Sequence, residues 1–198
     1  MEHTGSDHSN LNRYPLLRTS QVGEPKLDTL RQADLGGLQL TGSPLRYDAD
    51  SIEKIGALAP AVLVVVDHIP TRWFVQAQHP GWLGIGASTQ WNAMASFHDP
   101  HSACAQCLHP RDDVGDALIP TVAFVSQGSG LLLATYFARR AGDEQIKLNE
   151  HQVFMTPLRP ESLWKTPVGQ RADCPACGLG GISRRQGRTP PGLSAAAA

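Results

Sequence analysis

Ala61-Val62-Leu63-Val64-Val65-Val66 is an uninterrupted apolar run in which four of the six residues are valine. A run without a polar face is typical of a strand in the middle of a parallel sheet that is covered on both sides. The run ends at Asp67. Because ligands of such sheets bind beyond the carboxyl ends of the strands, Asp67 is the first candidate for a functional position.

Helical and strand-like segments alternate around this strand. Pro25 predicts a helix that continues through Lys26 to about Asp34, and Pro70 predicts another that runs to about Gln78. The other predicted elements are strands over 38–41, 82–87, 91–97 and 146–155, a short helix that is capped by Asp50 or Ser51 and runs through Ile55 to Leu58, and a long helix over 120–140. This alternation predicts an α/β fold with a mostly parallel sheet.

Two glycines, Gly128 and Gly130, lie inside the predicted long helix. Each weakens a helix interior by about 1 kcal/mol relative to alanine. Their presence is explained if they let the helix pack closely against a neighbouring element.

All four cysteines lie in two Cys-x-x-Cys pairs, Cys104 with Cys107 and Cys174 with Cys177, and 66 residues separate the pairs. Four thiolates in two such pairs are the usual ligands of a closed, tetrahedral zinc site. Gly178 follows the second pair, where backbone amides must turn toward metal-bound sulfurs. Two disulfides, or one redox-active pair, are the alternatives. Since a zinc ribbon closes over about 15 to 20 residues, a metal here would join distant parts of one larger domain.

The composition predicts a cytoplasmic globular protein. Hydrophobic residues make up 41% of the chain, and the net charge of −1 gives no reason to expect nucleic acid as a partner. No apolar stretch approaches the roughly 18 residues of a membrane span, and residues 1–10 are too polar for a secretory signal. A reducing compartment favours metal over disulfide for the cysteines.

One domain is predicted over residues 1–181, which contain all the elements named above. Residues 182–198 consist largely of glycine, arginine, proline and alanine, and end in four alanines. Such a segment cannot bury a core, so we expect a disordered tail.

Four blocks together resemble the ThiF-type superfamily, which contains the adenylyltransferases of thiamine and molybdopterin biosynthesis and the ubiquitin-activating enzymes. Residues 9–13 (SNLNR) resemble its S-N-L-x-R segment, and residues 22–26 (VGEPK) resemble its V-G-x-x-K helix start. Asp67 and Arg72 match its D-x-x-x-x-R, and the two cysteine pairs resemble its zinc knuckles. The resemblance covers residues 7–178 and implies a Rossmann-like fold.

The resemblance implies roles for individual residues. Asn10, Arg13 and Lys26 match positions that hold the phosphates of ATP, and Asp67 matches the residue that binds its magnesium ion. Arg13 and Asp67 are therefore the candidate catalytic residues, while Arg72 is expected to orient the strand end. The implied partners are a ubiquitin-like or sulfur-carrier protein and a second subunit in a homodimer or heterodimer.

Taken alone, the same residues have ordinary structural explanations. Asn10 and Arg13 could belong to a solvated loop, and Lys26 could be a surface lysine of a first helical turn. Asp67 could cap the helix that follows it, which is the commoner role for aspartate there. His101 and His109 flank the first cysteine pair and are expected to lie beside the thiols or on the surface.

Two departures from the superfamily limit the functional inference. Nothing before Asn10 resembles the first βαβ unit with its G-x-G-G-x-G turn, whose amides approach nucleotide phosphates. Gly84-Ile85-Gly86 comes too late and lacks the following helix. Without the leading strands, the strand at 61–66 would have one bare edge. In addition, residues 112–141 contain no cysteine for a thioester with a ubiquitin-like protein.

These observations lead to one main hypothesis and two alternatives. The main hypothesis is the zinc-bearing, carboxyl-terminal part of an adenylyltransferase that joins AMP to the carboxyl-terminal glycine of a ubiquitin-like or sulfur-carrier protein. We expect tight zinc binding and weak or no ATP binding by this chain alone. The alternatives are a non-catalytic scaffold subunit that pairs with an active partner and a zinc-dependent redox protein.

Overall fold

The computed structural model describes residues 5–33, 36–89, 91–99, 103–110, 122–142, 152–156 and 159–178. Its centre is a five-stranded sheet in the order β1-β2-β3-β4-β5. The strands are β1 (Ala61–Val64), β2 (Trp82–Thr89), β3 (Asn92–His98), β4 (Gln152–Thr156) and β5 (Arg159–Thr166). The α-helices are α1 (Lys26–Arg31), α2 (Ile52–Ile55), α3 (Ile69–Ala77), α4 (Ala105–Leu108) and α5 (Ala123–Ala141).

The sheet is mixed rather than mostly parallel in the described residues. β1 pairs with β2 in parallel, and α3 forms the crossover between them. The other pairings, β2 with β3, β3 with β4 and β4 with β5, are antiparallel. Only two residues separate β2 from β3, and a connection that short can join strands only in an antiparallel hairpin. The α/β class is confirmed, with its parallel arrangement confined to the β1–β2 unit.

β1 lies at an edge of the sheet instead of in the predicted middle. Within the described strands it has a single neighbour, β2. Leu63, Val65 and Val66 are 43%, 65% and 38% exposed. This agrees with the expectation of a bare edge, because β1 has a described strand neighbour along one edge only.

Helices cover the two faces of the sheet. On one face, α3 packs through Val75 against Val64, Leu83 and Ile85. On the other face, α5 contributes Leu133 to a cluster with alternate residues of β2, β3 and β4, namely Trp82, Phe97, Ala95 and Val153. The period-two alternation of strand side chains divides these residues between two cores.

Glycines let α5 approach the sheet. A Cβ atom on Gly86 would lie 2.5 Å from Leu133 Cδ1 and 3.0 Å from Ser129 Oγ. A Cβ on Gly128 would lie 2.7 Å from the Met155 methyl carbon, so this glycine does permit close packing, as predicted. Gly130 differs because a Cβ there would meet nothing within 4 Å.

We therefore expect opposite effects from alanine at Gly86 and at Gly130. Gly86→Ala should lower the free energy of unfolding by about 1–3 kcal/mol, because Leu133 and Ser129 must both move away from the added methyl group. Gly130→Ala should raise it by up to about 1 kcal/mol, because alanine is the better helix former and the site is open. Urea unfolding of both variants beside the parent measures the two effects. A Gly86→Ala variant as stable as the parent would contradict the close approach of α5.

Most predicted elements are confirmed with shifted ends, but three differ. Residues 38–41 form no strand, and Leu38 is 69% exposed, because no described strand lies beside them to supply hydrogen bonds. The short helix begins after Ser51, as predicted, but it ends at Ile55 rather than Leu58, and Gly56 follows it with a φ of +89° that favours glycine. β5 was not predicted from the sequence. Asp34, the start of the predicted long helix at 120–121, residues 146–151 and the tail at 182–198 lie outside the described residues.

Candidate metal centre and nucleotide-site residues

The four cysteines meet in one buried cluster, as the sequence predicts. Their Sγ atoms all lie within 4.8 Å of one another. The distances are 3.9 Å from Cys104 to Cys107, 3.6 Å from Cys104 to Cys174 and 3.2 Å from Cys107 to Cys177. All four side chains are at most 8% exposed.

This arrangement fits a tetrahedral metal ion and not disulfides. Bonds of about 2.3 Å from zinc to four sulfurs give sulfur–sulfur distances of about 3.8 Å, close to those observed. The thiols are unbonded, whereas a disulfide requires about 2.05 Å. The four cysteines are therefore positioned to bind one metal ion, which would join two segments separated by 66 residues.

Backbone turns shape the two ends of the centre. Cys104 stands at the start of α4, and the Cys107 amide donates to the Cys104 carbonyl at 2.9 Å. The Gly178 amide donates to the Cys174 carbonyl at 2.8 Å. The Arg171 amide points at the Cys107 sulfur at 3.4 Å, the kind of contact that stabilises a thiolate.

Burial and hydrogen bonding give the thiols different pKa values before a metal binds. Burial raises the pKa of Cys107 to about 11, and it also raises the pKa of Cys104. Burial acts in the same direction on Cys174, but the amides of Cys177 and Ala176 and the neighbouring thiols outweigh it and lower its pKa to about 7. At neutral pH, Cys104 and Cys107 are therefore protonated in the metal-free protein.

Metal binding is expected to release about two or more protons per ion near pH 7, because the metal takes thiolates and at least Cys104 and Cys107 must lose protons. The affinity should rise steeply as the pH increases and fall as it decreases. Calorimetric titration with zinc in buffers of different ionisation enthalpy counts the protons. A count near zero would contradict protonated thiols in the metal-free cluster.

Three side chains of α3 make hydrogen bonds to residues beside the first cysteine pair. Arg72 Nη1 donates to His109 Nε2 at 3.0 Å, and Trp73 Nε1 donates to the His109 carbonyl at 2.9 Å. The Ala105 amide donates to Gln76 Oε1 at 3.2 Å. Burial, together with the positive charge of Arg72, lowers the pKa of His109 to about 4, so this imidazole is neutral.

A second histidine near the cysteine pair lies at the end of β3. His98 is fully buried, and its Nδ1 donates to the Ala103 carbonyl at 2.7 Å, which leaves Nε2 to accept from Ser96 Oγ at 3.0 Å. Burial lowers the pKa of His98. The bond to Ala103 holds the residue immediately before Cys104.

Asn10, Arg13 and Lys26 belong to one small unit near the amino terminus. A β-bridge joins Gly5 to Pro25 and thereby brings the segment at 5–14 beside the start of α1. Asn10 is buried, with its Oδ1 accepting from the Asp7 amide, while Arg13 is exposed. Lys26 Nζ lies 5.3 Å from the centre of the Tyr14 ring. The structure thus shows more than a solvated loop here, although it does not test the predicted role in phosphate binding.

Asp67 is exposed, three residues beyond the end of β1, and does not cap α3. The cap is His68, whose Nδ1 accepts from the Thr71 amide at 3.2 Å. The Asp67 charge acts to raise the pKa of Arg72, while burial, the larger effect, lowers it. In the described part of the chain, no hydrogen bond or ion pair joins Asp67 to Asn10, Arg13 or Lys26.

Arg72 orients the strand end, as the sequence predicts. Its guanidinium is 6% exposed, and Nε donates to the Val66 carbonyl at 3.0 Å. Sequence reasoning did not find the contact of Arg72 with His109, or the roles of Trp73 and Gln76. The signal that the sequence did offer was the presence of hydrogen-bonding side chains, Arg72, Trp73 and Gln76, in a short and largely apolar helix.

Comparison with known proteins agrees with this picture. No family model matches the sequence. The SAMP-activating enzyme E1 of Haloferax volcanii is 27% identical over 189 residues, which span 89% of this chain and 69% of that protein. This similarity confirms the resemblance to the ThiF-type superfamily.

Solved structures show the same fold. Escherichia coli MccB, a microcin C7 biosynthetic enzyme solved with ATP, superposes with a TM-score of 0.69 at 17% identity. The match covers 88% of this chain and 57% of MccB, so the chain spans little more than half the length of that enzyme. PaaA superposes with a TM-score of 0.60 at 13% identity and with coverages of 83% and 62%. No helix in the described ranges is long and apolar enough to cross a membrane.

Proposed function

We propose that this chain is the zinc-bearing part of an ATP-dependent adenylyltransferase that joins AMP to the carboxyl-terminal glycine of a ubiquitin-like or sulfur-carrier protein. The observation that carries the proposal is the four-thiol centre, assembled from distant segments on a fold shared with MccB. The kinship with an E1 enzyme supports the same class of reaction. MccB structures with ATP and with MccA support a nucleotide and a polypeptide as the two substrates.

The reaction explains why cationic residues are needed. A carboxylate oxygen of the carrier protein bonds to the α-phosphorus of ATP, and pyrophosphate leaves with the electron pair of the broken phosphorus–oxygen bond. Arg13 can bind two phosphate oxygens at once, Lys26 supplies a point charge, and Asn10 keeps the segment in place. Asp67 would hold the magnesium ion, which would supply positive charge beside the leaving pyrophosphate. Zinc is structural in this proposal.

The test is ATP–pyrophosphate exchange by the chain purified from the cells that produce it naturally, so that a partner subunit stays bound. A ubiquitin-like protein that ends in glycine serves as the substrate, and the same protein without that glycine is the control. We expect Arg13→Ala and Asp67→Asn to lower exchange about 100-fold or more. Arg18→Ala is the control, because it changes an exposed arginine five residues after Arg13, and it should have little effect. Equal loss in all three variants would contradict the assigned roles.

A non-catalytic scaffold subunit remains a second candidate because of the bare edge at β1. Leu63, Val65 and Val66 present apolar surface where a further strand could pair. We propose that a partner polypeptide covers this edge, within a homodimer or a heterodimer. Light scattering should show association that Val65→Lys weakens, and a monomer at all concentrations would count against it. Association without any pyrophosphate exchange would favour the scaffold over the enzyme.

A further inference from the structure

We propose that Arg72 and His109 are positioning residues that connect the metal centre to the strand end carrying Asp67. The Arg72 guanidinium makes two contacts in opposite directions. Nε donates to the Val66 carbonyl, next to Asp67, and Nη1 donates to His109 Nε2, two residues beyond Cys107, each at 3.0 Å. One buried side chain thus contacts both the residue before the candidate magnesium ligand Asp67 and the metal-binding segment.

The chemistry of the two groups makes this contact specific. A guanidinium has five N–H donors and no acceptor, so the His109 nitrogen that faces it must be the acceptor. Arg72 is nearly buried, and an unpaired buried donor on a charged group is costly. A change that moves His109 away therefore forces Arg72 to find another partner and to release or shift the Val66 carbonyl.

The metal determines where His109 lies. Cys104 immediately precedes α4 and Cys107 lies within it, and the His109 amide donates to the Ala105 carbonyl at 2.9 Å. Two further bonds, from Trp73 to the His109 carbonyl and from the Ala105 amide to Gln76, hold α4 against α3. A metal ion that joins Cys104 and Cys107 to the second cysteine pair thus holds α4 from one side, while α3 holds it from the other.

It follows that metal binding and the geometry at Asp67 are thermodynamically linked. If the bound metal stabilises the Arg72–Val66 contact, that contact must strengthen metal binding by the same factor. The linkage itself does not require any enzymatic activity. Only its consequence, that the metal centre helps to place a magnesium ligand, rests on the proposed function.

The experiment compares zinc-loaded full-length proteins by NMR. The readout is the solvent exchange of the Arg72 Nε–H proton, whose signal is assigned by its loss in Arg72→Lys. His109→Leu cannot accept from Nη1 and should accelerate this exchange about tenfold, the size expected for losing one charge-assisted hydrogen bond. His109→Gln offers an amide oxygen as acceptor and should restore slow exchange.

A second measurement tests reciprocity. Cobalt competes with a chelator for the four thiols, and its visible spectrum reports binding. His109→Leu should weaken cobalt binding by the same roughly tenfold factor, and His109→Gln should restore it. Should His109→Leu fail to fold, Arg72→Lys replaces it in this measurement. The compact ammonium of lysine lacks the rigid fork with which the guanidinium contacts Val66 and His109 at once.

Leu108→Ala is the matched control, because it alters α4 at the residue next to His109 and leaves the Arg72 contact in place. We expect normal Arg72 Nε–H exchange in this variant. The proposal is overturned if His109→Leu keeps slow exchange, or if Leu108→Ala accelerates it equally. Binding of Mg-ATP, measured separately on the same proteins, tests the proposed function, and its failure would leave the exchange results unaffected.

Discussion

Replacement of Cys174 by serine is expected to abolish tight metal binding and to lower the free energy of unfolding by more than about 4 kcal/mol, a loss typical of a removed metal. The sulfur is 2% exposed and lies 3.6 Å from the Cys104 sulfur. A hydroxyl is a much poorer ligand than a thiolate for a metal in an all-sulfur site. Without the metal, the two cysteine pairs are joined in the described residues only by noncovalent contacts such as the Arg171 amide on the Cys107 sulfur, so residues 167–178 are held against α4 less firmly.

The size of this effect can be measured by chemical unfolding with zinc and with a chelator. The variant should resemble the chelated parent, because both lack the same bonds. Adding Cys104→Ser to Cys174→Ser should cost little more, since two residues that act through one ion are not additive. If the chelator leaves the stability of the parent unchanged, a structural metal centre is ruled out.

Gly178→Ala is expected to open the second knuckle and to weaken zinc binding about 10- to 100-fold, the range over which surrounding contacts tune a metal site. A Cβ atom there would lie 2.5 Å from the Ala172 carbonyl oxygen and 2.6 Å from that of Cys174. These are backbone atoms, so no side-chain rotation can relieve the contacts. The chain would have to move away from Cys177.

Gly169→Ala is a suitable control because it lies in the same segment and a Cβ there would meet nothing within 4 Å. It should bind zinc as the parent does. Chelator competition measures both variants under identical conditions. Equal affinities for Gly178→Ala and the parent would show that the knuckle does not need the close backbone approach described above.

Local patterns in the sequence were sufficient for much of the fold. The helix start at Pro70, the strand at 82–87 and the long helix after residue 122 depend on proline geometry and on the spacing of apolar residues, which act over a few positions. The metal ligands could also be predicted, because four cysteines in two Cys-x-x-Cys pairs are the usual ligand set of a closed zinc site.

The predicted nucleotide-site residues show where local reasoning stops. Asn10 and Lys26 are brought into one unit by the bridge between Gly5 and Pro25, a contact that no spacing rule reveals. Asp67 was a plausible helix cap by residue type, yet the neighbouring His68 ring takes that role. Whether Asn10, Arg13, Lys26 and Asp67 bind ATP and magnesium stays a prediction.

The sequence by itself determined the four-cysteine cluster, the apolar run that precedes Asp67 and the resemblance to adenylating enzymes, because each depends on residue type and short-range order. Only the tertiary structure decided that β1 lies at an edge, that three strand pairings are antiparallel and that Arg72 reaches His109. These features join residues far apart in the chain. Their free energies depend on which surfaces meet after the chain has folded, and no local pattern records that choice.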